Sequence, residues 1–142
     1  MYLLDTNVVS ELRKVRHGKA NAGVAAWADS VEAIDLYVSA LTVQELELGV
    51  LMMERRDVQQ GAVLRAWLDE QVVPAFEGRI LPVDTVVALR SAHLHVPGPC
   101  AVIDSLIAAT ALVHSMTVVT RNVADFERTG VMLLNPWSGA LQ

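Results

Sequence analysis

Tyr2-Leu3-Leu4-Asp5-Thr6-Asn7-Val8-Val9-Ser10-Glu11 begins with a short apolar run that breaks at an acid and passes into helical spacing. A run so short and so apolar reads as a strand covered on both faces, and the stretch after it has the period of a helix. The same change recurs downstream. Candidate strands are 2–4, 36–39, 80–83, 117–120 and 131–134, and candidate helices are 6–14, 21–29, 42–54, 58–72, 85–95 and 102–115. Strands alternating with helices need crossovers, and these predict an α/β fold with a mainly parallel five-stranded sheet and helices on both faces. His17-Gly18, Pro74, Gly78, Pro97-Gly98-Pro99 and Asn135-Pro136 all fall between elements. None is long enough for an interdomain linker and no repeat is visible, so residues 1–142 are expected to form one domain.

Of the 142 residues, 53% are hydrophobic and only 19% charged, which excludes a disordered chain. No apolar stretch approaches the roughly 18 residues of a membrane helix, so no membrane association is expected. The 11 Lys+Arg against 16 Asp+Glu leave a net charge of −5. That total argues against a protein that coats nucleic acid by bulk charge. It says nothing about where the charge sits. Cys100 is the single cysteine and cannot form an internal disulfide, and no signal peptide is visible, so a cytoplasmic setting is expected.

In open parallel sheets, ligands bind beyond the carboxyl ends of the strands. The first strand ends in Asp5-Thr6-Asn7, the second leads into Thr42-Val43-Gln44-Glu45, and the third ends in Asp84. The fourth ends in Thr120-Arg121-Asn122 with Asp125 a turn further, and the helix after Pro97-Gly98-Pro99 opens with Val102-Ile103-Asp104. Carboxylates aimed at one edge raise one another's pKa unless a cation neutralises them. An all-oxygen set favours Mg²⁺ or Mn²⁺ over zinc. Such a site supports phosphodiester hydrolysis, in which the metal activates water and stabilises charge on the phosphate.

Each acid also has a structural reading. Asp5 has the form of an N-cap for the helix at Thr6, and Asp84 of a cap for the helix at Thr85. Thr42-x-x-Glu45 has the form of a capping box, while Glu47 points to another face. Asn122 and Asp125 fit turn chemistry as well as ligation. Asp104 is the least easily explained by structure: it shares a stripe with Ile107, Ala108 and Ala111 on an almost wholly apolar helix. A bare carboxylate on such a stripe costs several kcal/mol.

His93-x-His95 with Cys100 matches no zinc-finger spacing. No nucleophile elbow or phosphate-binding glycine loop is present. Trp27 and Trp67 read as core packing. The basic stretch Arg13-Lys14-Val15-Arg16-His17-Gly18-Lys19 is either a solvated loop or, through Arg13, Lys14, Arg16 and Lys19, a rim that holds phosphates near the acids.

Four segments together resemble a known family. They are Leu3-Leu4-Asp5-Thr6-Asn7-Val8-Val9-Ser10-Glu11, Ser39-Ala40-Leu41-Thr42-Val43-Gln44-Glu45-Leu46, Asp104-Ser105-Leu106-Ile107-Ala108-Ala109-Thr110-Ala111 and Val119-Thr120-Arg121-Asn122-Val123-Ala124-Asp125-Phe126. In this order they resemble PIN-domain ribonucleases, and more narrowly the VapC toxins of toxin–antitoxin modules in the FitB-like subgroup, as does the closing Asn135-Pro136-Trp137. The resemblance implies a three-layer α/β/α PIN-like fold and a Mg²⁺- or Mn²⁺-dependent endoribonuclease. It further implies a homodimer, and a VapB-like antitoxin whose tail occupies the active site. By matching position, Asp5, Glu45 and Asp104 would be the catalytic and metal-binding acids. Thr6 and Asn7 would support them, and Thr120 would line the site. Where many members carry a fourth acid this chain has Asn122, and Asp125 is the nearest carboxylate.

Other classes fit less well. A phosphatase or dehalogenase using Asp5 as nucleophile usually carries a second Asp where Asn7 stands, and a phosphoacceptor receiver domain needs an acid pair and a lysine that are missing. A degenerate PIN domain that only binds RNA or protein is the remaining alternative.

Overall fold

The computed structural model describes residues 1–138 and 140–141. Strand β1 is Tyr2–Leu4, β2 Leu36–Ser39, β3 Ile80–Leu81, β4 Thr117–Val119, β5 Leu133–Asn135 and β6 Ala140–Leu141. The helices are α1 Thr6–Leu12, α2 Ala22–Ser30, α3 Ala40–Arg56, α4 Val58–Trp67, α5 Val73–Ala75, α6 Thr85–Leu94 and α7 Val102–His114. A π-helical stretch, Leu68–Val72, joins α4 to α5.

The strands lie in the order β3-β2-β1-β4-β5-β6. Neighbours from β3 to β5 pair in parallel, and β6 closes the edge antiparallel to β5. The chain thus adds strands on one side of β1 and then on the other. That reversal opens a crevice between the carboxyl ends of β1 and β4.

Alternation of side chains divides the core. Leu4, Val38 and Val119 face a cluster built with Val8, Val9, Leu46, Val50, Leu68 and Phe76. Leu3 and Val118 face the opposite cluster with Ile107, Ala108, Ala111 and Phe126. Successive residues of a strand point to opposite faces, so a strand apolar throughout must be covered twice. Helices α1, α3 and α4 cover one face, and α6 with α7 the other, giving the three-layer α/β/α arrangement expected from the sequence. Each fully buried Leu or Val contributes about 1.5–3 kcal/mol relative to exposure.

Element bounds depart from the sequence expectations in instructive places. Helix α3 starts at Ala40, because the Ser39 hydroxyl accepts the Leu41 N–H and caps it there. Helix 58–72 is not uniform: it loosens into the π stretch from Leu68, ahead of Pro74. Strand β3 covers only two residues, and β5 begins two residues later than 131. Strand β6 had no sequence signal. Helices α3 and α4 form a tight hairpin, with Arg65 held by Glu47 (2.7 Å), Glu54 (3.1 Å) and Asp69 (3.4 Å). No helix among the described residues is long and apolar enough to cross a membrane.

Candidate active site

Asp5 leaves β1 with extended backbone, its N–H held by the Val119 carbonyl of β4 at 2.9 Å. Its carboxylate is held from both sides. Oδ1 accepts the Thr6 N–H (2.9 Å), so Asp5 is a helix cap, while Oδ2 accepts the Thr120 hydroxyl (2.9 Å) and the Asn7 amide (3.4 Å). Thr120 is fully buried behind Asp5, so it orients the acid from beneath and does not line the cleft. Its Oγ1 in turn accepts the Asn122 N–H at 3.0 Å and the Asn7 amide at 3.4 Å, and Asn7 Oδ1 accepts the Arg121 N–H at 3.2 Å. Asp5 therefore caps α1 and lines the cleft with the same carboxylate.

A cleft of about 690 Å³ opens above this network, lined by Asp5, Thr6, Asn7, Glu45, Asp104, Asn122 and the wall Ala101, Val102 and Ile103. The capping-box reading of Glu45 does not hold. Ser39 takes the cap, Thr42 is buried three residues into α3, and the Thr42 Oγ1 has no hydrogen-bond partner. Glu45 is free to face the cleft. Asp104 sits in the first turn of α7, half-buried, at the end of the stripe whose Ile107, Ala108 and Ala111 are buried. The stripe is real, but Asp104 emerges from it into the cleft and is not enclosed. Asp84 caps α6 through the Val87 N–H (3.0 Å). Glu47 belongs to the Arg65 hub.

All three cleft acids are pushed above the ordinary carboxylate range. For Asp5 the main cause is burial, to which the Asp125 charge adds; Thr120, Thr6 and Asn7 offset part of it. Burial also leads for Glu45, with Asp5 and Asp104 adding, and for Asp104, with Asp5 and Asp125 adding. The Thr6 hydroxyl, which makes no hydrogen bond of normal geometry, lies toward Glu45 and offsets part of its rise. Asp125 lies outside the cleft lining, yet its charge reaches two of the acids. Asn122 occupies the lining where the fourth acid was sought.

Among the described residues none of the three acids forms an ion pair, and no three ligating groups already converge at metal distance. The donor set nonetheless fits a hard divalent cation: mutually repelling carboxylates with an amide, and no sulfur or imidazole. Side-chain rotation would have to complete the ligand sphere.

The wall 101–103 rests on a network that the sequence did not announce. The Cys100 N–H donates to His95 Nδ1 (3.3 Å), which assigns the proton to Nε2, and Nε2 donates to Ser105 Oγ (3.0 Å). The Ser105 hydroxyl donates to the Val102 carbonyl (2.6 Å) and accepts from buried Ser91 (2.9 Å). Arg128 holds the same loop through the Gly98 and Pro99 carbonyls. Both nitrogens of His95 are thus engaged, which accounts for the His95–Cys100 proximity without a metal. The partners lie up to 14 positions apart, too far for any periodic signal.

None of the basic stretch lines the acidic cleft. Arg13, Lys14 and Lys19 line, with His17, a separate concavity of about 500 Å³, and Arg16 lines an adjoining apolar groove with Val9, Trp67 and Phe76.

Residues 2–131 match the PIN domain family model, and the chain belongs to the PIN-domain family. Within that family it is similar to Toxin FitB of Neisseria gonorrhoeae, at 42% identity over 142 residues, covering 96% of this chain and 99% of that protein. It is also similar to VapC ribonuclease Y4jK of Sinorhizobium fredii, at 39% identity over 148 residues, covering 99% of this chain and all (100%) of that protein. The crystal structure of FitAcB from Neisseria gonorrhoeae superposes with a TM-score of 0.87 at 41% identity, covering 96% of this chain and 99% of that one.

Proposed function

We propose that this protein is a divalent-metal-dependent endoribonuclease and the toxin of a VapBC-type toxin–antitoxin pair. The observation that carries the reading is the meeting of Asp5, Glu45 and Asp104, from three distant chain segments, in one cleft at the sheet's carboxyl edge. Relatives named as a toxin and as a VapC ribonuclease support it. Asp5, Asp104 and Glu45 would hold Mg²⁺, or Mn²⁺, which when bound activates water and stabilises charge on the scissile phosphate. Thr120 and the Thr6 N–H fix the Asp5 carboxylate, so that its orientation is set before substrate arrives. Glu45, facing the same cleft, would bind the metal or orient the attacking water. Asn122 presents an amide that would hold water or a phosphate oxygen, while Asn7, its amide given to Asp5 and Thr120, keeps those two in place. Asp125 adds negative charge from outside the lining.

The same reading places the protein in the cytoplasm as a homodimer, silenced by a VapB-like antitoxin; a relative named as a toxin supports the last point.

The test is cleavage of RNA with and without EDTA, beside Asp5→Asn and Asp104→Asn. Loss of at least about a hundredfold is expected in each case, the scale of removing a preorganised charge. Undiminished cleavage by both variants would sink the reading. Calorimetric titration with Mg²⁺ or Mn²⁺ separates it from a binding-only domain, which would give no site-specific heat.

A further inference from the structure

The concavity lined by Arg13, Lys14, His17 and Lys19 is not an isolated patch. Asn7, Glu11 and Lys14 are spaced to share one face of α1, and the backbone keeps right-handed helical angles through Arg13 and Lys14. Asn7 lines the acidic cleft, so the basic concavity begins about 10 Å along that face, at a rise of ~1.5 Å per residue. Arg121 lies beside this face of α1. Its N–H donates to Asn7, its guanidinium rests 5.4 Å over the Trp137 ring, and its charge adds to the larger effects of the Asn21 N–H and Lys14 in lowering the Glu11 pKa. Glu11 is the acid on this face of α1, engaged by the Asn21 N–H (2.8 Å) and Lys14 (3.2 Å). Among the described residues no carboxylate lies within ion-pair distance of Arg13, His17, Lys19 or Arg121.

We propose that Arg121 and the concavity of Arg13, Lys14, His17 and Lys19 form a phosphate track for the backbone of single-stranded RNA running along α1 from the acidic cleft. This rests on the nuclease reading and deepens it. A span of about 10 Å corresponds to two or three phosphates, at ~3.4 Å or more of axis per nucleotide. Cations at that spacing hold a polyanion by its charge and read no bases. An acidic protein segment fits less well, because helical peptides dock through apolar anchors. The concavity has none, and the apolar groove lies on the far side of Arg13.

The test uses fluorescence anisotropy of a short fluorescein-labelled oligouridylate in EDTA, so that binding is read without cleavage. Arg121→Gln and the double variant Lys14→Gln with Lys19→Gln are compared with the parent across salt concentrations. All three positions are exposed, and an unchanged melting temperature confirms that each variant folds. Expected is an affinity loss of about tenfold, with the salt slope shrinking by ~0.7 for each phosphate contact removed. Unchanged affinity and slope would overturn the track. So would loss of binding to a labelled polyglutamate peptide with RNA binding intact, which would assign the surface to an acidic protein. Cleavage surviving Asp5→Asn would instead defeat the nuclease reading while leaving these binding results to stand.

Discussion

Burial raises the Asp5 pKa, and a single hydroxyl tempers that rise. Thr120 donates to the carboxylate from a fully buried position, and that bond opposes the rise in pKa that burial imposes. Thr120→Val keeps the shape and removes the donor, leaving the Asn122 N–H without its acceptor. The expected cost is about 1–3 kcal/mol of stability. The Asp5 pKa rises further, so activity that needs the ionised carboxylate is lost at a higher pH, and the acid limb of the pH–rate profile moves upward. An unmoved limb would show that Thr120 does not tune Asp5. At this scale much was legible. Asp5 stood where a buried strand gave way to a helix, and the carboxylate that caps α1 also faces the cleft. Glu45 was obscured, because Thr42-x-x-Glu45 imitates a cap that Ser39 in fact supplies three residues earlier.

Between elements, the cleft wall depends on how α6 meets α7. Ser105, His95 and Ser91 form a chain of hydrogen bonds that fixes the loop leading to Asp104. Ser105→Ala would leave the Ser91 hydroxyl and the His95 Nε2–H unpaired, at a cost of about 1–3 kcal/mol. Chemical denaturation should show a lower midpoint with an unchanged m-value; an unshifted midpoint would mean water replaces the serine without cost. The strand–helix alternation was legible because short apolar runs must be covered on both faces. This contact was not, since it joins residues on separate helices that follow no period. Strand β6 was also illegible, being two residues paired only at the sheet's edge.

For the whole molecule, the three cleft acids work against folding. Their folded pKa values lie above the ordinary 3.8 of Asp and 4.5 of Glu, so stability present at acid pH falls as pH rises through that range. Glu11, shifted downward, opposes this in part, as its contribution is lost when pH falls. Metal-free Glu45→Gln should therefore melt higher than the parent at pH 7, the reverse of the usual effect of a substitution. A lower melting temperature would contradict the electrostatic account. Saturating Mg²⁺ should stabilise the parent at pH 7 by about 2.7 kcal/mol at a hundredfold excess over Kd, read as a higher melting temperature, and by less as pH falls and protons compete for the ligands. The net charge of −5 reads differently in this light. With Asp5, Glu45 and Asp104 set apart, 13 acids face 11 bases, so the remaining surface is close to neutral.

The bond from Thr120 to Asp5 joins residues 115 positions apart. β4 slots between β1 and β5, so the two chain segments that define the cleft floor are made far apart in time. A nascent chain still short of residue 120 holds Asp5 and Glu45 but lacks the strand that orients them, and contacts of such high sequence separation form slowly. Timing is therefore built into the topology. The cleft is completed only once synthesis has passed residue 120, which leaves the ribosome making this chain a period in which its product is not yet assembled.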